Sequence, residues 1–287
     1  GLSPGTYHLA FNGVACSPTT YTVSSLNSAP ATPLIGAITQ PNCVTTTGSV
    51  SFSGLPATGT WTITANPATA GLTGISGTGE TTTIGGLNPG TNYTFIVSNG
   101  SCTSSPTANV PTDALITTTY TGSSWSTTPD LTMIGIINSN TPITSDVELC
   151  NCTVNSTNAN IATGVTLKLQ DKLTVNGTAK LTFENNASLI QINDVVNSGN
   201  ITYKRETVTS IDKFDFTYWS SPVSGQTLYN TSPNTLSDKY MSFDAVTNDW
   251  FPENSITKVM KPGVGYSIRG PQNHYPPNPI GTYRANF

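Results

Sequence analysis

Charged side chains are scarce in this chain. Only 9% of its 287 residues are Asp, Glu, Lys or Arg, against about 25% in an average soluble protein. That shortage excludes coiled coils and charge-rich helical bundles. Disorder driven by charge repulsion is excluded as well, because hydrophobic residues reach 36% and the net charge is −4.

Basic residues and long apolar runs are also missing. No Lys or Arg occurs before Lys168, so the clustered basic surface that a nucleic-acid-binding protein needs is lacking. The sequence has no run of about 18 apolar residues, the length that would predict a transmembrane helix. The composition therefore predicts that the chain does not bind nucleic acid and that it has no transmembrane helix.

Uncharged polar residues supply the polarity instead. The chain contains 50 Thr, 30 Ser and 27 Asn. Threonine, together with Val, Ile and Tyr, favours short strands, and the Gly, Asn and Pro between them favour tight turns. The sequence predicts an all-β protein.

An internal repeat organises the first 112 residues. The opening run GLSPGTY recurs 85 residues later as GLNPGTNY, and each copy is followed by an apolar stretch, a turn glycine and a cysteine, Cys16 or Cys102. The chain thus begins near the end of one copy, and we interpret it as a fragment of a longer multidomain protein.

The cysteines fit this interpretation. Cys43 stands at the start of the second repeat and Cys102 at its end, where they could join its first and last strands, so we predict a Cys43–Cys102 disulfide. Cys16 corresponds to Cys102, and its partner would lie upstream of Gly1. A disulfide implies an oxidising, extracellular compartment.

Cys150 and Cys152 form a C-x-C pair. Alternate residues of a strand share one face, so both side chains would point the same way. Two interpretations stay open, a pair of small buried thiols and a strained disulfide between them. A metal site is disfavoured because no histidine is nearby.

We divide the chain into four segments. Residues 1–28 are the C-terminal stub of one immunoglobulin-like repeat, and residues 31–112 are a complete repeat between Pro-rich joints. Polar and apolar residues alternate at 49–53 and 60–64, the period of half-buried strands in an immunoglobulin-like β-sandwich.

The run Leu87–Tyr93, LNPGTNY, resembles the L-x-P-G-T-x-Y turn of fibronectin type III and related immunoglobulin-like modules. The resemblance implies that Tyr93, and Tyr7 in the stub, are tyrosine corners, in which the ring covers the edge of the core and the hydroxyl bonds back to the loop.

Residues 113–205 contain short apolar couplets at a regular spacing. Val154 to Val175 is 21 residues, Leu167 to Leu189 is 22, and Leu181 to Ile201 is 20. Coils of this length, each made of three short strands, predict a short parallel β-solenoid. An ordinary sandwich with short strands is the alternative.

Aromatic residues cluster in residues 206–287, for which we predict a β-sandwich-like domain that continues past Phe287. Most aromatics in a small β-domain belong to its core. The candidates for glycan contact are Trp219 and Trp125, the latter as a partly exposed cap over the first solenoid coil.

The sequence offers candidates for two kinds of polar site, a calcium site and a catalytic site. Asp244 and Asp249 flank a predicted turn, where Asp usually caps the backbone; a calcium ion bridging them or Asp238 is the competing hypothesis. The chain has two histidines, His8 and His274, and lacks the H-E-x-x-H, G-x-S-x-G, G-x-G-x-x-G and P-loop motifs. We therefore predict no catalytic residue.

Residues 113–287 resemble a segment of very large secreted proteins of Bacteroidota. The residues that carry the resemblance are the couplets above and the runs YWSSPVSG (218–225), NTLSDKY (234–240) and MKPGVGY (260–266). Such proteins are adhesin-like cargo of the type IX secretion system, with immunoglobulin-like repeats upstream.

This resemblance implies a non-catalytic structural or adhesive segment at the bacterial cell surface, with roles in adhesion or gliding motility. It implies the outer-membrane type IX translocon as a transient partner and surface glycans or the substratum as ligands; it carries over no cofactor. The alternative is an accessory, carbohydrate-binding region of a secreted polysaccharide-degrading enzyme.

Overall fold

The computed structural model describes residues 5–11, 14–23, 28–69, 71–207, 211–273 and 284–286. As predicted, the fold is all-β. The chain forms two compact units, Gly1–Leu115 and Ile116–Phe287. Among the described residues, no helix has the length and apolar character needed to cross a membrane.

The first unit consists of antiparallel sheets. A hairpin is followed by a three-stranded sheet of order β3-β4-β7 and a four-stranded sheet of order β6-β5-β8-β9. The strands are β1 (Gly5–Phe11), β2 (Val14–Val23), β3 (Leu34–Thr39), β4 (Gly48–Ser53), β5 (Trp61–Asn66), β6 (Ile75–Gly77), β7 (Thr81–Leu87), β8 (Asn92–Ser98) and β9 (Val110–Pro111).

The two larger sheets share one core. Burial alternates strictly along β4 and β8, so each strand sends every second side chain inward. Phe52 of one sheet meets Phe95 of the other edge-on, with ring centroids 4.9 Å apart. The three-stranded sheet packs on the four-stranded sheet around this core, and together they form the predicted immunoglobulin-like sandwich.

The second unit begins with short strands arranged as a parallel β-solenoid of about four turns. Its strands form three parallel sheets, of order β10-β11-β13-β16, β12-β15-β18 and β14-β17-β19. They are β10 (Thr117–Tyr120), β11 (Ile134–Ile137), β12 (Val147–Leu149), β13 (Asn151–Val154), β14 (Ala159–Ile161), β15 (Thr166–Leu169), β16 (Leu173–Val175), β17 (Leu181–Phe183), β18 (Ser188–Gln191) and β19 (Ile201–Glu206).

The residues whose spacing predicted the repeat are paired on neighbouring strands of these sheets. Val154 pairs with Val175, Leu167 with Leu189, and Leu181 with Ile201. The prediction of a solenoid is confirmed, and the alternative of an ordinary sandwich is wrong.

Successive coils are joined by like side chains stacked at the same position. The Asn155 amide donates to Asn138 Oδ1 at 3.0 Å, and the Asn176 amide donates to Asn155 Oδ1 at 2.8 Å. In the interior, the rings of Phe183 and Tyr203 stack with centroids 4.6 Å apart. Each coil therefore satisfies its corner amides and covers its apolar residues with the next coil.

The last part of the chain forms one four-stranded antiparallel sheet of order β20-β23-β21-β22, with one helical turn beside it. The elements are β20 (Phe216–Ser220), α1 (Leu228–Thr231), β21 (Tyr240–Asp244), β22 (Asp249–Pro252), β23 (Gly265–Arg269) and β24 (Arg284–Asn286), the last of which pairs with β19.

This sheet and the solenoid share a continuous core. Trp219, Tyr240 and Tyr266 belong to the same buried cluster as Leu181 and Phe183 of the solenoid. The boundary predicted between residues 205 and 206 therefore falls inside a single compact unit.

A buried leucine in α1 tests this shared core. Leu228 is fully buried in the cluster, and Leu228→Ala should lower the free energy of unfolding of the second unit by about 2–5 kcal/mol. Hydrogen exchange should accelerate in β17 and β19 as well as in the sheet. Leu236→Ala, at an exposed leucine, is the control and should change neither quantity. Faster exchange confined to the sheet would show that the two parts unfold independently.

Candidate functional site

The C-terminal sheet has one covered face and one open face. Tyr218 and Trp219 are neighbours on β20, so their side chains point to opposite faces. Trp219 is buried in the shared core, whereas Tyr218 is 72% exposed. The prediction of a glycan contact at Trp219 is therefore wrong, because the strand alternation directs that ring inward.

Three aromatic rings form a shallow cleft on the open face. Tyr218, Phe243 and Trp250 line it together with Val264 and Gly265, and its volume is about 460 Å³. The exposed fractions of Phe243 and Trp250 are 46% and 38%. Large exposed rings held on strands of a folded sheet are a recognisable mark of a binding surface.

The rings touch one another across the sheet. The ring centroids of Tyr218 and Trp250 lie 6.0 Å apart at an interplanar angle of 27°, and those of Phe243 and Trp250 lie 5.1 Å apart at 56°. Phe243 and Trp250 are cross-strand partners in the β21–β22 hairpin. Tyr218 lies in β20, which is separated from β21 by β23 in the sheet.

Gly265 lies in β23 between these strands. A side chain at this position would meet no atom within 4 Å of its Cβ, so the space above this residue is open. The cleft is therefore bounded at this position by backbone, with open space above it.

The three aspartates proposed for calcium do not form a group that could hold a metal ion, although Asp244 and Asp249 are cross-strand partners in the β21–β22 hairpin. Asp244 accepts a hydrogen bond from the Val246 N–H at 2.8 Å, and Asp249 accepts one from the Trp250 N–H at 2.8 Å. Asp238 forms an ion pair with Lys239 at 2.7 Å, and this hydrogen bond lowers the pKa of its carboxyl. The turn-capping alternative describes Asp244 and Asp249.

No cluster of three or more His, Cys, Asp or Glu side chains is placed to hold a metal ion within the part of the chain that the structure describes.

Trp125 occupies its predicted place at the first solenoid coil. It is half-buried, and its ring lies 5.3 Å from that of Tyr120 in β10. A second cleft, of about 270 Å³, borders both rings. A glycan contact at Trp125 stays a prediction.

Tyr93 makes the contact expected of a tyrosine corner. Its buried hydroxyl accepts a hydrogen bond from the Asn88 N–H at 3.0 Å, five residues upstream. The corresponding turn before Tyr7, residues 1–4, lies outside the described residues, as does the side chain of Cys16. The predictions for those two residues are not tested.

Cys43 and Cys102 lie at opposite ends of the sandwich. Cys43 follows β3, where Gln40 donates to the Pro111 carbonyl at 3.2 Å, and Pro111 pairs with Asn92 at the start of β8. Cys102 follows the end of β8. Seven extended residues separate these ends by about 20 Å, beyond the reach of a disulfide. The predicted Cys43–Cys102 bond is therefore wrong, although Cys43 is disulfide-bonded.

Cys150 and Cys152 do not share a strand. Cys150 lies at the bend between β12 and β13, and Cys152 lies within β13. Both are buried, but Cys150 is disulfide-bonded and Cys152 is a thiol. The disulfide between them is excluded, and the alternative of two buried thiols holds for Cys152 alone. Burial raises the pKa of the Cys152 thiol to about 12.

Because of this raised pKa, the free energy of unfolding should decrease at alkaline pH. The native thiol stays protonated up to about pH 12, whereas an unperturbed cysteine ionises near 9.0. Its contribution to stability is therefore complete below about pH 9 and is lost as the pH rises from 9 to 12. Denaturant unfolding at pH 8 and pH 10 should show a loss of about 1 kcal/mol that Cys152→Ala lacks. Equal losses in both proteins would contradict the assignment.

Sequence reasoning missed the cleft because it treated the aromatic cluster as core. The adjacent pair Tyr218–Trp219 carried a usable signal, since two neighbouring rings on one strand cannot both face inward. Phe243 and Trp250 flank the hairpin turn, which also marks them as cross-strand partners.

Comparison with known proteins identifies the family to which the second unit belongs. No curated protein and no solved structure matches the chain. Residues 118–287 match the family model of a domain of unknown function, DUF8693. The match covers more than half of the chain and includes both the solenoid and the sheet that carries the cleft. The chain therefore belongs to the DUF8693 family.

Proposed function

We propose that this chain is a non-catalytic, adhesive segment of a secreted bacterial cell-surface protein, and that its C-terminal sheet makes the adhesive contact. The observation that carries the proposal is the exposed aromatic cleft of Tyr218, Phe243 and Trp250, set on a sheet whose other face is buried.

The fold around the cleft suits a surface that must bear load. The rings project from strands rather than loops, and the inner face of the same sheet joins the core of the solenoid. A force on the cleft would be transmitted to a buried apolar cluster rather than to a flexible segment.

The extracellular location and the route of export are proposals that rest on the resemblance to type IX secretion cargo. Cys43 and Cys150, both disulfide-bonded, support an oxidising compartment, since disulfides persist there and are rare in the cytosol. The type IX translocon would be a transient partner, and surface glycans or the substratum would be the lasting ones.

The second candidate is an accessory region of a secreted polysaccharide-degrading enzyme. The same aromatic cleft favours it, because such a region also needs a non-catalytic surface for sugars. The two candidates differ in the parent protein, of which only the enzyme would carry a catalytic domain elsewhere.

Surface labelling and attachment test the first candidate. Fab fragments raised against residues 116–287 should label intact cells of the encoding bacterium and should reduce cell attachment under flow several-fold. Fab fragments against residues 28–115 serve as the control for the steric effect of a bound Fab that does not recognise the unit carrying the cleft. Labelling that requires permeabilised cells, or attachment unchanged by saturating Fab, would contradict the proposal.

A further inference from the structure

We propose that the cleft of Tyr218, Phe243 and Trp250 binds a neutral glycan, with the flat C–H face of one sugar ring stacked on the aromatic platform. This inference names the ligand class for the adhesive surface proposed above, and its biological role rests on that proposed function.

The first argument is the shape of the platform. The rings of Tyr218 and Trp250 are nearly parallel with centroids 6.0 Å apart, and Phe243 closes against Trp250 at 5.1 Å. A cation caged by aromatics lies within about 6 Å of each ring face, and two facing rings would have to stand much further apart to admit one. Rings in mutual contact instead make a continuous surface for a flat ligand.

The second argument is size. The cleft measures about 460 Å³, within the range of about 300–1,000 Å³ for small-molecule sites. This is room for one or two sugar rings. Because the cleft is open and has no side chain at Gly265, a longer oligosaccharide can extend beyond it while one sugar unit contacts the aromatic rings.

The third argument is charge. Every residue that lines the cleft is uncharged. Asp244 and Asp249 are adjacent in sequence to Phe243 and Trp250, so their side chains lie on the opposite face of the hairpin. The cleft therefore offers no charged group to pair with a charged ligand. The ligand therefore needs apolar C–H surface and hydroxyls without net charge, which describes a neutral sugar. The Tyr218 hydroxyl and the Trp250 indole N–H provide polar groups at the edges of the rings.

The fourth argument is pre-organisation. Tyr218, Phe243 and Trp250 each lie within a hydrogen-bonded strand, so their backbone positions are fixed before a ligand arrives. Binding then requires little ordering of the protein, which is the condition under which a small, weakly held ligand can be retained.

Gly265 allows the cleft to be filled without disturbing the core. Its Cβ would meet nothing within 4 Å, and its backbone is not in the left-handed region. Gly265→Val should therefore fold normally, and it places a β-branched residue in a strand, where such residues are favoured. Gly85→Val is the matched control: Gly85 is also a strand glycine with open space, but it lies in β7 of the sandwich.

The test uses the full chain and defined probes. Cellohexaose, xylohexaose, mannohexaose and laminarihexaose are the neutral probes, oligogalacturonate is the acidic probe, and choline is the cationic probe; calorimetry measures binding. We expect at least one neutral oligosaccharide to bind. Gly265→Val and Trp250→Ala should each weaken that binding at least tenfold, and Gly85→Val should leave it unchanged. Thermal unfolding of each variant verifies its fold, and Phe243→Ala replaces any variant that fails to fold.

Several outcomes would overturn the inference. They are binding of none of the neutral probes, neutral binding that survives Gly265→Val, and binding of the acidic or cationic probe alone. Self-association of the chain that Trp250→Ala abolishes, without sugar binding, would assign the cleft to a second copy. Glycan binding without surface labelling of cells would reject the proposed function and leave this inference standing, and the reverse result would do the opposite.

Discussion

Coil-on-coil stacking is the constraint on which the second unit depends. A coil of three short strands buries little apolar surface alone, so each coil needs a neighbour above and below it. The parallel registers give every interior coil such a neighbour. At the C-terminal end this role passes to the antiparallel sheet, whose Trp219, Tyr240 and Tyr266 join the solenoid core. The sheet is thus a structural part of the solenoid, which explains why one family model spans both.

The same requirement gives the sheet two different faces. Its inner face must be apolar to cover the solenoid, and strand alternation then sends every other residue outward. Aromatic residues on that outward side contribute nothing to the shared core, yet Tyr218, Phe243 and Trp250 gather there around Gly265. A surface of this kind has a cost in solubility, and ligand binding offers a reason for it.

Features that depend on repeating or local contacts could be predicted from the sequence, whereas features that depend on contacts between distant segments could not. The solenoid was predictable because stacking places equivalent residues in register, so the spacing from Val154 to Val175 reappears as a strand pair. Tyr93 was predictable because its contact with Asn88 is local. The Cys43–Cys102 bond failed because positions at the two ends of a repeat do not reveal which end of the sandwich each occupies. The cleft was missed because its rings come from strands whose order in the sheet differs from their order in the chain.

The asparagine stack of the solenoid has a consequence for the conditions under which the protein can work. Asn138, Asn155 and Asn176 connect three coils through amide groups, which neither titrate nor attract counterions. The Lys168–Glu148 pair on a neighbouring face is exposed and is weakened by salt, but the amide contacts are not. The asparagine contacts between these coils are therefore insensitive to pH and to ionic strength, whereas the buried Cys152 thiol in β13 makes the stability of the same coils fall at alkaline pH.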